Sequence, residues 1–384
     1  MKKVFKNLDK PLLLVSVLLF VIGLIMVFSS SNVTAYMSHA VSPYNYFLKQ
    51  GAFLLTGLIL ALIMIKMTTK AYGVFSWGLL LIVIVSLFFL LIIGQSKNQA
   101  ISWYDLGPIS IQPSEFAKVI TIVWLAVYYE TNIKNLNSYM KSLFPLAICG
   151  LVALLIFLQP DLGTTIIYSV IVGSMFLASP ISKEIKFKTI AGLIGLAVFA
   201  GFILMSAGKG LLLERQMQRF DYKNPCGKLL STGNQVCNGY IAINNGGLTG
   251  VGLGNSTQKY LYLPEPYTDF IFAIIIEEMG LIFGIGIMLL YMFLLYRILI
   301  IGTRSATNRG KAICYGVAIY IFLHIAVNLM GLFGMMPMTG VPLPFMSYGG
   351  SFTICLIAAL TLVQRVSVEN GFRKETVKRK KARA

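Results

Sequence analysis

Long apolar runs separated by short polar segments dominate this sequence. A helix needs about 20 mostly apolar residues to cross a bilayer, and ten segments approach or reach that length. These segments are 11–29, 48–66, 74–93, 114–130, 143–158, 164–179, 189–206, 270–296, 311–332 and 349–366. The pattern predicts an all-α integral membrane protein with about ten transmembrane helices.

The remaining segments predict how the chain is divided. Residues 1–10 form an N-terminal segment, 11–206 contain helices 1–7, and 270–366 contain helices 8–10. Residues 207–269, between helices 7 and 8, are too many for a simple connector and predict one large loop. The basic stretch 367–384 is predicted to be a disordered tail. The first apolar run has no small-residue cleavage site after it, which indicates a retained span rather than a signal peptide.

Composition and charge agree with this prediction and indicate on which side of the membrane each loop lies. Hydrophobic residues make up 57% of the chain, charged residues 12%, and the mean hydropathy is +0.78. The termini and every second loop hold 23 Lys and Arg residues, against 8 in the alternate loops. The positive-inside rule then predicts that both termini are cytoplasmic and the large loop is extracellular. The net charge of +18 follows mainly from this topology and from a tail beside anionic lipid headgroups, so nucleic acid is not a predicted partner.

Asp269 is the most informative polar position. It follows the extended, proline-containing stretch 263–268 and is the last polar residue before an apolar segment. A carboxylate at the edge of hydrocarbon is costly unless it is used, which favours a catalytic role. Helix capping is the alternative, because Asp is a preferred N-cap and suits the positive end of a helix. Position alone does not decide between the two.

Two further outer corners carry acidic residues at predicted helix starts. In the first corner, Ser114 is predicted to cap a helix whose first turn contains Glu115, and Lys118 lies on the same face. This pair should face the bundle interior, either as a substrate contact or as a structural ion pair. In the second corner, 159–165, Asp161 can cap the next helix. Helix starts that face one outer cavity would direct positive dipole ends at an anion, whereas capping alone is the simpler alternative.

The large loop concentrates basic residues outside the membrane. They are Lys209, Arg215, Arg219, Lys223, Lys228 and Lys259, with Arg215 and Arg219 on one face of a predicted helix. They suit an anionic lipid headgroup, although long loops also cross the membrane regardless of charge. The same loop holds Cys226 and Cys237, and an oxidising compartment permits a disulfide between them.

Other polar residues have simpler interpretations. Glu277 and Glu278 are adjacent and therefore point to different faces of the helix. One of them is predicted to face the cavity and the other a neighbouring helix. His324 stands alone in a span, where a packing role is expected. The glycine-rich stretch 244–256 lacks the strand–loop–helix unit of a nucleotide site.

Five motifs together resemble one family. QPSEFAK (112–118), QPDLGTT (159–165), NNGGLTGVGLG (244–254), LPEPYTDFIFAIIIEEMG (263–280) and TGVPLPFMSYGGS (339–351) occur in the order found in the SEDS family of bacterial cell-wall polymerases, which includes FtsW, RodA and SpoVE. Residues 254–265 look more like the FtsW and SpoVE branch. Tyr267 departs from the pattern, because many members have His at this position.

The resemblance implies a peptidoglycan glycosyltransferase of the cytoplasmic membrane that polymerises lipid II into glycan strands. It implies Asp269 as the general base, a divalent cation (Mg²⁺ or Mn²⁺), and inversion at the sugar. The implied partners are undecaprenyl-pyrophosphate-linked glycan, a class B penicillin-binding protein, and other membrane proteins of the divisome or elongasome. Candidate substrate contacts are Glu115, Lys118, Asp161, Arg215, Arg219, Lys259, Glu265 and Ser347.

Two other classes of function fit the sequence as well. Charged residues inside a ten-helix bundle also suit a lipid II flippase. A scaffold without chemistry of its own, which positions a class B penicillin-binding protein, is the third class. The sequence does not separate roles in division, elongation and sporulation.

Overall fold

Helices fill most of the computed structural model, which describes residues 2–39, 41–97, 100–105, 107, 110–206, 225–228 and 233–381. The helices are α1 Lys2–Lys6, α2 Lys10–His39, α3 Asn45–Met64, α4 Thr69–Ile93, α5 Pro113–Thr131, α6 Tyr139–Phe157, α7 Leu162–Ala178, α8 Lys183–Ser206, α9 Asn234–Gly246, α10 Ile271–Met279, α11 Leu281–Thr303, α12 Asn308–Leu332 and α13 Gly350–Lys381. Short antiparallel strands β1 Gln95–Lys97, β2 Ala100–Asp105 and β3 Ser110–Ile111 lie in the order β1–β2–β3. The all-α prediction is confirmed.

Apolar length identifies the helices that can span a bilayer. Within the described part of the chain, α2, α3, α4, α6, α11, α12 and α13 are long and apolar enough to cross, and α7 is a shorter apolar helix. In α13, 89% of the apolar window is buried, against 11% in α3. The bundle therefore has α13 near its centre and α3 at its lipid-facing edge. The count of ten crossings stays a prediction.

The predicted span 270–296 is two helices, so that prediction was wrong. Helix α10 is only nine residues long, and Ile271 to Glu278 are all buried. It ends at Gly280, whose φ of +86° is a conformation that favours glycine. Asp269 therefore leads into a short helix enclosed by protein rather than into a span that faces lipid.

The glycine-rich stretch 244–256 causes this break. Its backbone binds both sides of Gly280: Leu281 N donates to Gly247 O (3.0 Å), and Val251 N donates to Glu277 O (2.9 Å). A side chain at Gly250 or Gly280 would collide with the opposing backbone. Glycine therefore serves close packing at the end of α10.

The basic tail differs from its prediction. Residues from 367 onward continue α13 as a helix to Lys381 instead of forming a disordered tail. Asn370 Nδ2 donates to Ile301 O (3.2 Å), and Ser367 Oγ donates to Asn7 O (3.2 Å). These tertiary contacts hold a segment whose charge alone predicts disorder.

The large loop 207–269 is described in part. Residues 207–224 and 229–232 lie outside the described residues, and with them the predicted helix that carries Arg215 and Arg219. Cys226, in the 3₁₀ turn Pro225–Lys228, forms a disulfide with Cys237 of α9. This disulfide joins the loop to the helix that packs against α10.

Candidate active site

Asp269 lies just before α10, but it does not cap the helix. The N-cap position is Phe270, and no side chain there accepts a hydrogen bond from the first turn. The capping alternative for Asp269 is therefore wrong. In the described part of the chain, its carboxylate has neither a hydrogen-bond partner nor an ion-pair partner.

Three donors hold the backbone that carries Asp269. Tyr348 N donates to Tyr267 O (2.9 Å), Ser347 Oγ to Thr268 O (2.6 Å), and Asn328 Nδ2 to Asp269 O (2.9 Å). We call these three donors the Asp269 clamp. Because consecutive carbonyls are each fixed, the clamp positions Asp269 without engaging its carboxylate.

Ser347 and Asn328 have second bonds that tie the clamp to the loop 333–349 between α12 and α13, called the last outer loop after its predicted position. Ser347 Oγ accepts from Leu343 N (2.8 Å), and Asn328 Nδ2 also donates to Val341 O (2.9 Å). The predicted substrate contact Ser347 is only 2% exposed and has its hydroxyl in use. Its position is that of a support for Asp269.

Replacing Ser347 by Ala is expected to lower stability by about 1–3 kcal/mol, because Thr268 O and Leu343 N lose a buried partner. Any activity that depends on Asp269 should fall with it, since the backbone of Asp269 is no longer fixed. Thermal unfolding and initial rates on the purified protein measure both effects. Ser16→Ala is the matched control, because the Ser16 hydroxyl only donates within its own helix, to Leu12 O. Equal losses in the two variants would contradict the clamp.

The Asp269 carboxylate borders a small pocket between α12 and the last outer loop. Asn328, Gly331, Thr339 and Gly340 are among the lining residues. Burial, with the negative charge of Glu265 as the second cause, raises the pKa of Asp269 to about 7. Glu265 itself is exposed. A carboxylate in this state accepts a proton more readily than an ordinary surface Asp.

The predicted pair of Glu115 and Lys118 lies inside the bundle, as the sequence indicates. Lys118 Nζ is 2.7 Å from Glu115 Oε1, with the side chains 1% and 2% exposed. Lys118 Nζ is also 3.0 Å from His324 Nε2, and His324 Nδ1 lies 2.8 Å from Tyr320 O. His324 also packs as expected, with its ring stacked on Phe352 (centroids 4.8 Å apart), but its polar partners were not predicted. A lone His in an apolar helix gives no sequence signal for a partner on another helix.

The second acidic corner meets the first. Asp161 caps α7 by accepting from Thr164 N (3.0 Å), and Gln112 Nε2 donates to its other oxygen (3.2 Å). Gln112, rather than the predicted Ser114, is the N-cap of α5, because Pro113 occupies the first helical position. The two outer corners therefore touch each other.

Helix α12 connects these corners to Asp269. His324, against Lys118, and Asn328, against Asp269 O, are one helical turn apart on one face. Gly163 of the second corner packs directly against Thr339 and Val341, which line the pocket. Asn328 had no signal in the sequence, because an Asn in a long apolar helix does not indicate which loop it binds.

Lys259 lies in a buried network and not on an exposed basic surface. Its Nζ is 3.1 Å from Glu278 Oε1, and Ser29 Oγ donates to Glu278 Oε2 (2.6 Å). Glu277 faces the other way and accepts from Thr257 N and Oγ1 (3.2 and 2.9 Å). The prediction that one of these glutamates faces a cavity was wrong, because each carboxylate is enclosed by protein partners. Lys259 is consequently not exposed to an anionic substrate.

Tyr267, the position that departs from the family pattern, belongs to an aromatic cluster. The Tyr267 ring packs on Tyr46 with centroids 4.5 Å apart, and their hydroxyls are 3.3 Å apart. Tyr348 closes the cluster against both rings. The neighbours of Tyr267 are therefore aromatic rings that pack against its own ring.

A helical membrane bundle with an acidic site at one end defines the class of this protein, and sequence similarity shows its family. The cell cycle protein family of FtsW, RodA and SpoVE matches residues 10–371. The chain is 35% identical to the probable peptidoglycan glycosyltransferase FtsW of Bacillus subtilis strain 168, over 98% of this chain and 95% of the relative. It is 36% identical to stage V sporulation protein E of the same strain, over 94% and 96%. The chain belongs to this family.

Solved structures share the fold. A structure described as coordinating polymerization and crosslinking in a peptidoglycan synthase complex superposes with a TM-score of 0.73 at 23% identity, covering 94% of this chain and 98% of the other. The rod shape determining protein RodA of Thermus thermophilus superposes with a TM-score of 0.65, also at 23% identity, covering 94% and 96%.

Proposed function

We propose that this chain polymerises lipid II into glycan strands at the outer face of the cytoplasmic membrane. It is a peptidoglycan glycosyltransferase with a role in cell division. The observation that carries the mechanism is the Asp269 carboxylate: its backbone is fixed by the clamp, its oxygens lack protein partners in the described chain, and it borders a pocket. Purified protein with labelled lipid II in detergent tests this proposal. Polymer formation there identifies an enzyme, since detergent removes the two sides that a flippase needs.

Asp269 is the general base. It takes the proton of the 4-hydroxyl of N-acetylglucosamine on lipid II as that oxygen attacks the anomeric carbon of the growing strand. The bond from this carbon to the lipid diphosphate breaks, and the diphosphate leaves with its electron pair. A single displacement by one base inverts the anomeric carbon, in contrast to the paired carboxylates of retaining enzymes.

This proposal includes a divalent cation, Mg²⁺ or Mn²⁺, that binds together with the substrate. In the described part of the chain, no three His, Cys, Asp or Glu side chains come together as a metal site. A closed protein site therefore does not fit. Mg²⁺ commonly binds through substrate phosphates, and the lipid diphosphate supplies such oxygens. Among the predicted cationic contacts, Lys118 is buried on α5 and contacts His324, which lies one turn of α12 from Asn328.

Orientation and partners complete the proposal. The excess of Lys and Arg in alternate loops supports cytoplasmic termini, which places Asp269 outside. The chain acts beside a class B penicillin-binding protein that cross-links its product, in keeping with the complex named for the structural relative. Glu265, Asp161, Arg215 and Arg219 remain candidate contacts for the lipid-linked substrates.

The rate of polymerisation should depend on the fraction of Asp269 that is ionised. The base works only when deprotonated, so kcat/KM should fall about tenfold per pH unit below pH 7 and level off above it. Because the charge of Glu265 raises the pKa of Asp269, Glu265→Gln should move this limb to lower pH. Rates measured between pH 5.5 and 8.5 for both proteins check this expectation. An identical limb in the two proteins would contradict the assigned cause.

A further inference from the structure

A second cavity lies at the opposite end of the bundle, where the termini meet. It is an open cleft of about 490 Å³, and its walls come from Asn7 just after α1, the turn after α11 and residues 370–375 of α13. A water occupies about 30 Å³ in the liquid, so a volume of this size corresponds to roughly 16 waters and has room for a lipid headgroup. None of its residues belongs to the site around Asp269.

Three cations without counter-ions line this cavity: Arg304, Arg373 and Lys374. None of them has an acidic partner in the described residues. Other arginines at this end of the bundle are paired, as Arg297 with Asp9, Arg309 with Glu130 and Arg365 with Glu369. Glu375 is the one carboxylate in the lining, which leaves a net positive cavity.

The chain segments around the cleft are held together by contacts, although the side chains of Arg304, Arg373 and Lys374 are exposed. Gly371 packs so closely on Asn7 that a side chain there would displace it. Asn370 Nδ2 donates to Ile301 O, which ties α13 to the end of α11. Asp9, two residues after Asn7, is bound by Gln364 through its N (2.9 Å) and its O (3.0 Å). These contacts fix all three walls.

Its depth matches the lipid headgroups. Helix α11 ends at Thr303, one residue before Arg304, and the buried part of α13 ends near Val368, shortly before Arg373. The cavity therefore opens where apolar spans give way to polar residues. We propose that this pocket of Arg304, Arg373, Lys374 and Glu375 binds the headgroup of one phosphatidylglycerol molecule on the membrane face that carries both termini.

The headgroup chemistry fits the lining. Guanidinium and ammonium groups bind the phosphodiester through charge-assisted hydrogen bonds. Glu375 accepts hydrogen bonds from the glycerol hydroxyls, which a phosphocholine headgroup does not have. Basic pockets at the ends of membrane helices bind anionic lipid headgroups by the same physics. This inference does not depend on polymerase activity.

Native mass spectrometry of the full-length protein tests the site. Protein released from vesicles of equal phosphatidylglycerol and phosphatidylcholine should retain one phosphatidylglycerol. The triple variant R304Q/R373Q/K374Q should lose this preference by at least about tenfold, at about 1 kcal/mol per basic residue. The matched control K378Q/R379Q/K380Q removes three charges further along α13 and should keep it. Glu375→Gln should lower the preference for phosphatidylglycerol over phosphatidic acid, which has no glycerol hydroxyls.

Several outcomes would overturn the proposal. Equal loss in the pocket and control triples would mean general charge attraction by the tail. Full displacement of the lipid by soluble glycerol phosphate would assign the pocket to a free anion. If the pocket triple fails to fold, Arg304→Gln and Glu375→Gln alone decide, and unchanged lipid selectivity in both would overturn the site.

Discussion

Asp269→Asn will abolish glycan polymerisation by the purified protein. The amide cannot take the proton of the acceptor hydroxyl, and loss of a positioned base commonly lowers rates by about 10²–10⁴. The fold should persist, because the clamp binds the Asp269 carbonyl and the described residues form no hydrogen bond with its carboxylate. Polymer length and initial rate on labelled lipid II, with a thermal unfolding curve, measure both expectations.

The matched control removes an acidic charge elsewhere. Glu184→Gln neutralises an exposed carboxylate whose partner Lys188 is equally exposed, so rate and stability should both stay near those of the unmodified protein. A rate for Asp269→Asn within about tenfold of the unmodified protein would rule out Asp269 as the base. An Asp269→Asn protein that unfolds early would show that the carboxylate has a structural partner.

Lys118→Met is expected to have the largest effect on stability. The substitution leaves Glu115 charged, buried and without its partner, which commonly costs about 3–5 kcal/mol. The Nε2 atom of His324 also loses its donor. Thermal unfolding in detergent should show a transition many degrees below that of the unmodified protein. An unchanged transition would mean that Glu115 and Lys118 are not an ion pair in the folded protein.

The double variant Glu115→Gln with Lys118→Met separates the two roles of this pair. Removing the unpartnered charge should restore most of the lost stability. If the pair is only structural, the polymerisation rate should recover together with the stability. If Lys118 stabilises the diphosphate, the double variant is stable but slow. The first result is the one expected from the structure, because Lys118 is 1% exposed and already engaged by Glu115 and His324.

Local patterns in the sequence predict much of this site. Nine of the ten apolar runs each fall in one helix, and the spacing of Glu115 and Lys118 predicts a shared face directed inward. Both inferences need only the helical period and the cost of charge in lipid. The motif order also identifies the family, since five specific segments in sequence are far more informative than any one.

Other features depend on contacts between distant segments. Asn328 and Ser347 lie 59 and 79 residues from the residues whose carbonyls they bind. Lys259 pairs with Glu278 through an irregular loop, and helical or strand periodicity does not predict such a pair. Charge composition predicted a disordered tail, but α13 continues to Lys381, and the start of this segment contacts Asn7 and Ile301. These partners become visible only when the chain is packed.

The sequence by itself determined the all-α membrane class, the approximate helix positions and the family, and it singled out Asp269 as a candidate. Only the tertiary structure decided that Asp269 is not a cap, that Gly280 breaks the following helix, and that Lys259 is enclosed. The physical reason is that helix formation and membrane burial depend on neighbouring residues, whereas a clamp, a helix break and a buried ion pair depend on which surfaces meet.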